Sequence, residues 1–273
     1  MPDLFSQDLH QISDQEAEVL CQELRRSLLT SVSQTGGHLA SNLGAVELTV
    51  AIHRVYDTAK DRLVFDVGHQ CYCHKILTGR AERMTTLRKM GGLSGFPKPE
   101  ESDHDAFIAG HASNSVSVAV GMALAGKIDN KDYRVYSLLG DGEIEEGQVW
   151  EAAMFASHNN LDNLCLIVDF NGLQIDGPVS EVAGPEPIDK KFEAFGFDVQ
   201  TIDGHDFDAI EAAFARAKTV KGKPSVIIAK TVKGKGVSFM ENQVGWHGTA
   251  PNKEQYETAM QELTAALHEL EGC

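Results

Sequence analysis

Residues 133–142 read YRVYSLLGDG and residues 164–172 read LCLIVDFNG. Each is an apolar run of strand length that breaks at a glycine-containing turn. The stretch between them, roughly 145–158, has helical patterning, and Asp141 and Asn171 stand 30 residues apart, the length of one strand–helix–strand unit. Strands joined by such a crossover run parallel. Runs that are apolar throughout, without alternation, belong to strands buried on both faces.

The rest of the chain extends this pattern. Ser13-Asp14-Gln15-Glu16 reads as a capping box, followed by a helix with Leu20, Leu24 and Leu28 at i, i+4 spacing that stops near Gly36-Gly37. A second apolar helix is expected over roughly 44–56, then a short strand at Leu63-Val64-Phe65. FDVQTI (197–202) and SVIIAKT (225–231) read as strands around a helix over roughly 206–219, and 252–271 is again helical. The expected fold is α/β, a parallel sheet with helices on both faces, formed as a single domain over residues 1–273. Ligands of such sheets bind at the carboxyl ends of the strands.

Gly140-Asp141-Gly142 and Asn171-Gly172 fall at those ends. The glycines let backbone approach a ligand closely. Asp141 and Asn171 offer hard oxygens, and Mg²⁺ takes a few such ligands from protein and the rest from phosphate and water. Two ordinary strand-to-helix turns are the plainer reading of either motif alone. The strand before, the helix after and the second motif on the next tip point to a metal–diphosphate site.

Net charge is −16, from 24 basic and 40 acidic residues, which argues against a nucleic-acid partner. No apolar run approaches the length of a membrane-spanning helix, and MPDLFSQDLHQ lacks the features of a secretory signal. Cys21, Cys71, Cys73, Cys165 and Cys273 show no metal or redox spacing and read as idle thiols of a cytoplasmic protein.

Four histidines stand beside glycines at expected element ends: His38, His69, His111 and His247. Any one of them alone is better read as a structural or surface residue. Together they read as ligand-binding groups, since imidazole donates to phosphate or sugar oxygens and moves protons near neutral pH.

With these residues in view, GDGEIEEGQVWEAAMFASHNNLDNLCLIVDFNGLQIDGPV (140–179) resembles the thiamine-diphosphate motif of transketolases. KTVKGKGVSFMENQVGWHGTAP (230–251) resembles transketolase as well, whereas residues 36–80 and GGLSGFPK (91–98) resemble deoxyxylulose-phosphate synthase. The resemblance runs from about residue 14 to about residue 255. It implies the thiamine-diphosphate-binding fold, with Asp141, the Asn171 side chain and the Leu173 carbonyl on Mg²⁺. Gly142 would contact the diphosphate with Glu143 beside it, although Glu143 and Glu145 also read as solvated charges favoured at a helix start. Gly110, His111 and Ala112 match the loop whose backbone holds the diphosphate. His38, Ser41, His69 and His247 match channel positions, the three histidines as catalytic groups and His69 and His247 also against the cofactor. Lys230 matches a lysine near the cofactor, with a solvated strand-end charge as its plainer reading, and Glu146 matches a glutamate at the interface between copies. Transketolases place a channel histidine where this chain has Gly95-Phe96-Pro97-Lys98, which is a departure.

Both families continue into a second α/β domain carrying the glutamate that activates the cofactor ring, and then a third, whereas this chain stops at Cys273. The resemblance thus implies one subunit of a split transketolase. It would be active as a heterotetramer with a C-terminal partner and transfer a two-carbon ketol unit between sugar phosphates. The corresponding subunit of a synthase condensing pyruvate with an aldehyde phosphate is the alternative. A non-catalytic protein that kept the fold is a third reading, opposed by the intact Asp141, Asn171, His38 and His69.

Overall fold

The computed structural model describes residues 2–272. The chain divides into two compact units, each built from separated stretches of sequence. Unit 1 comprises the residues up to Val55, His69–Gly95 and those from Val232 onward, and unit 2 comprises Tyr56–Gly68 and Phe96–Thr231.

Unit 2 holds the main sheet. Its strands are β1 (Arg62–Phe65), β2 (Val135–Gly140), β3 (Leu164–Phe170), β6 (Asp198–Asp203) and β7 (Ser225–Lys230), in the order β1-β2-β3-β7-β6 and parallel throughout. A two-stranded antiparallel ribbon, β4 (Leu173–Gln174) and β5 (Gly177–Pro178), follows β3. The helices are α5 (Asn114–Ile128), α6 (Gly147–His158), α7 (Val179–Val182), α8 (Ile188–Ala194) and α9 (Phe207–Thr219).

Side chains alternate across the sheet, as the pleat requires. Val135 and Leu139 of β2 and Leu164, Leu166 and Val168 of β3 share one core with Val116, Ala119 and Ala123 of α5 and Val149, Ala152 and Ala156 of α6. Tyr136, on the other side of β2, stacks on Tyr56 with ring centroids 3.8 Å apart, and Tyr56 lies 5.1 Å from Phe214 of α9. Both faces of the sheet are therefore covered, as the uninterrupted apolar strands require.

Unit 1 is helical: α1 (Asp14–Thr35), α2 (Leu39–Gly44), α3 (Val46–Val55), α4 (Tyr72–Lys75) and α10 (Lys253–Glu271). The capping box at Ser13 is present in both directions, with Ser13 N donating to Glu16 Oε2 at 2.7 Å and Glu16 N donating to Ser13 Oγ at 3.2 Å. Leu20, Leu24 and Leu28 are fully buried, and α1 packs against α10. The helix expected over roughly 44–56 is α3, and a short α2 that was not expected precedes it, separated at Ala45, whose φ/ψ of −105/15 is not helical. Beneath them the buried Arg25 bridges to Glu47 at 2.7 Å and donates through Nε to the Lys235 carbonyl.

Cys21, Cys71, Cys73 and Cys165 are buried and form no disulfide among the described residues, and Cys273 lies outside them. Among the described residues no helix is long and apolar enough to cross a membrane.

Candidate active site

In unit 2 the strand tips carry the acidic and glycine residues that the sequence singles out. Asp141 follows β2 and is buried, and its carboxylate accepts the amides of Gly142 at 2.9 Å and of Gly172 on the next tip. One aspartate thus ties together the two turns that flank the β2–β3 crossover. Asn171 is half-buried and its Oδ1 accepts the Leu173 amide at 3.1 Å, closing the turn that leads into β4. Gly172 has φ of +75°, and a Cβ on Gly142 would lie 3.0 Å from Gln174 Cβ. Both turns therefore call for glycine.

Glu143 corrects an expectation. It is buried, not a solvated helix-start charge, and its Oε2 accepts the Gly140 amide at 2.7 Å. The short 3-10 turn over Glu143–Glu145 folds the side chain back under the strand tip. Burial holds its carboxyl well above the usual range, and Asp66, Asp169 and Asp141 add to the rise. Glu146, the N-cap position of α6, is exposed.

Asp66 follows β1 and was not singled out from the sequence. It is fully buried and accepts the amides of Ser113 at 2.6 Å and Ser115 at 3.2 Å, at the first turn of α5. The loop Gly110-His111-Ala112 runs directly into that turn. Gly110 (φ +137°) and His111 are exposed, and the Phe96 ring lies 3.6 Å from where a Gly110 Cβ would stand. The Ser113 hydroxyl is buried with no hydrogen-bond partner among the described residues. Lys230 closes β7 as an exposed residue.

Unit 1 gathers three of the four glycine-flanked histidines. The ring centroids of His38 and His69 are 5.3 Å apart, those of His38 and His247 5.5 Å, and those of His69 and His247 5.2 Å. His111 belongs to unit 2. Asn42 fixes the approach of the first two, donating through Nδ2 to the carbonyls of His38 at 2.8 Å and His69 at 2.7 Å. Burial is the main cause that lowers all three imidazole pKa values: His69 lies well below its usual value, His247 at about 4, and His38 is lowered with help from Arg88 and Lys233. All three rings are neutral at neutral pH, ready to donate through one nitrogen and accept through the other.

Sequence reasoning missed two further groups here. Lys233, buried to 2% exposure, places Nζ 2.8 Å from His247 Nδ1. Gln70, beside His69, is 1% exposed, and neither end of its amide has a partner among the described residues. The Ser41 hydroxyl is likewise buried and unpartnered among them. Buried polar groups are normally satisfied, so these atoms fit a polar ligand. Among the remaining histidines, His53 Nε2 meets His74 Nδ1 at 2.9 Å and His104 Nδ1 meets Thr58 Oγ1 at 2.7 Å, both local structural pairings.

A family model described as 1-deoxy-D-xylulose-5-phosphate synthase matches residues 5–186. The 1-deoxy-D-xylulose-5-phosphate synthases of Methylibium petroleiphilum and Dechloromonas aromatica are each 40% identical to this chain over 88% of its length, which is 45% and 46% of theirs. The chain thus spans under half the length of the curated relatives it matches. Among solved structures, transketolase from Campylobacter jejuni matches with a TM-score of 0.84 and 28% identity, covering 95% of this chain and 46% of that one. Transketolase from Leishmania mexicana, at 22% identity, a TM-score of 0.80 and 96% and 45% coverage, adds a likeness of fold alone. The curated relatives carry the synthase name and the solved structures the transketolase name, the same mixture that the sequence stretches show. The chain belongs to the 1-deoxy-D-xylulose-5-phosphate synthase family, as its N-terminal domain, in the thiamine-diphosphate-binding α/β fold that this family shares with transketolase.

Proposed function

We propose that this chain is the thiamine-diphosphate- and Mg²⁺-binding part of a cytoplasmic transketolase that moves a two-carbon ketol unit between sugar phosphates. The observation that carries the reading is the pair of joined strand tips, Asp141 with Gly142 and Asn171 with Gly172. Their fit to a metal–diphosphate group rests on chemistry. The Asp141 carboxylate, the side-chain oxygen of Asn171 and the Leu173 carbonyl are hard oxygen donors of the kind Mg²⁺ prefers. The buried Ser113 hydroxyl and the backbone of exposed Gly110 and His111 and half-buried Ala112 suit the anionic end.

In this reading Asp141, Asn171 and the Leu173 carbonyl hold the metal. The backbone of Gly110, His111, Ala112 and Gly142 holds the diphosphate, with Glu143 supporting the Gly140 turn and Lys230 offering a cation at the end of β7. Bound thiamine diphosphate supplies an electron sink for the pair released when a carbon–carbon bond breaks. His38, His69 and His247 donate to substrate oxygens and carry protons, and the Ser41 hydroxyl is a further polar contact. The remaining length of the relatives, supplied by a second chain or by more of the same one, completes the catalytic machinery. Glu146, exposed at the start of α6, faces a second copy. Purified chain with Mg²⁺ and thiamine diphosphate should bind cofactor weakly at most and show no ketol transfer. Adding the complementary C-terminal part should restore transfer and produce a larger assembly by light scattering. Full turnover by the purified chain alone would overturn the division of labour.

A second reading, condensation of pyruvate with an aldehyde phosphate, is favoured by the synthase relatives and by Phe96 packed over Gly110 where transketolases are expected to place a channel histidine. Assaying the reconstituted enzyme with a ketose phosphate against pyruvate separates the two.

A further inference from the structure

Of the three lysines in AKTVKGKG (229–236), Lys230 is exposed, Lys235 half-buried and Lys233 buried. The backbone of unit 1 fixes Lys233 closely. Gly234 follows it at φ +80°, and a Cβ there would lie 2.5 Å from the Met240 carbonyl oxygen. The Gly234 amide donates to the Ala40 carbonyl at 2.8 Å and the Asn242 amide to the Lys233 carbonyl at 3.0 Å. Arg25 holds the Lys235 carbonyl at 3.2 Å. Gly44 backs the same loop, so close that a Cβ on it would come within 2.8 Å of the Val232 carbonyl oxygen.

This frame sets Lys233 Nζ 2.8 Å from His247 Nδ1. An ammonium group carries three donors and no acceptor. The nitrogen it meets must therefore accept, and the one proton of a neutral imidazole then sits on Nε2. Protonating Nδ1 would set one N–H against another beside a buried cation.

We propose that Lys233 is a positioning residue that fixes His247 as the neutral Nε2–H tautomer. His247 then works as a hydrogen-bond donor toward a substrate oxygen, and proton acceptance falls to His38 and His69. The substrate half of this statement rests on the function proposed above; the tautomer does not. Among the described contacts, the charged and titratable groups that bear on the cluster include Lys233, Arg88, the three imidazoles themselves and Tyr72, whose hydroxyl accepts the His38 amide at 3.4 Å. Burial and these cations oppose protonation of the rings together, and His247 is pushed down to about 4.

The test is two-bond proton–nitrogen correlation spectroscopy on the full chain with ¹⁵N-labelled histidine, His247 being assigned by the signal lost in His247→Gln. The wild type should show an acceptor-type Nδ1 and a protonated Nε2, without cofactor or partner. Lys233→Arg should preserve that pattern. Lys233→Met should release it to an exchange-averaged pair and raise the protonation midpoint of His247 by about one pH unit. A protonated Nδ1 in the wild type, which needs no variant to fold, overturns the proposal, as does an unchanged His247 midpoint in folded Lys233→Met. Failure of the chain to bind thiamine diphosphate even with the complementary C-terminal part would overturn the proposed function and leave the tautomer assignment standing.

Discussion

The carboxylate of Asp66 accepts the backbone amide of Ser113 at 2.6 Å, across 47 residues of sequence, so α5 begins on a side chain supplied from the tip of β1. The first amides of a helix lack intrahelical partners and attract anions. Here the protein's own carboxylate occupies that position.

Removing that cap should be felt throughout unit 2. Asp66→Ala orphans two buried amides and should cost about 1–3 kcal/mol. Asp66→Asn keeps an acceptor and should cost less. Urea unfolding of the two variants beside the wild type measures the order, and equal midpoints for Asp66→Ala and wild type would show that the cap contributes nothing.

Asp141→Ala should abolish Mg²⁺-dependent binding of thiamine diphosphate in a calorimetric titration. It should also lose about 1–3 kcal/mol without ligand, because the amides of Gly142 and Gly172 both rely on that carboxylate. The wild type should gain about 2.7 kcal/mol at a hundredfold excess of ligand over Kd, and the variant nothing. Wild-type affinity in the variant would remove Asp141 from the ligand set.

The histidine cluster predicts a pH dependence of known sign. The folded chain disfavours the protonated form of all three imidazoles, so the unfolded chain binds more protons between the lowered values and about 6.5. This contribution to stability is complete above about pH 6.5 and is lost as pH falls toward the His247 value of about 4. Asp66 and Glu143, whose carboxyls are raised by burial, act in the opposite sense, so the comparison with a variant isolates the cluster. His69→Gln should lose less stability than the wild type between about pH 7 and about pH 5 in chemical unfolding. Parallel losses would mean that His69 titrates alike in both states.

Gly44→Ala tests how firmly the Lys233 loop is held. The new methyl would press on the Val232 carbonyl oxygen at 2.8 Å, and backbone yields less readily than a side chain. A cost of about 1–3 kcal/mol is expected from thermal unfolding. A variant as stable as the wild type would show that the loop can move aside.

The sheet was legible because its signal is local. The apolar runs read at 133–139, 164–169 and 225–231 end within a residue of their strands, and the Ser13 box opens α1 as read. Four-residue α4 and α7 and seven-residue α8 are too short to show periodicity. The histidines could be nominated from the glycines beside them, but their convergence depends on contacts between residues 38, 69 and 247 that no local pattern contains. Lys233 was hidden for the same reason: lysines at 230, 233 and 235 look alike until burial separates them. Glu143 was misread because an acidic residue at a helix start is usually solvated, and the turn that folds it inward follows from the geometry of the strand tip.

The interleaving of the two units has a consequence during synthesis. The chain passes between them at residues 55/56, 68/69, 95/96 and 231/232, so neither unit corresponds to one continuous piece of messenger. Unit 2 has all its residues once Thr231 has been added, whereas α1, near the beginning, must wait for α10 at Lys253–Glu271 to cover it. At translation rates of about 5–20 residues per second, the chain between the end of α1 at Thr35 and the end of α10 at Glu271 takes about 12–47 s. Throughout that time α1, whose Leu20, Leu24 and Leu28 are fully buried in the folded chain, lacks the last helix that packs against it.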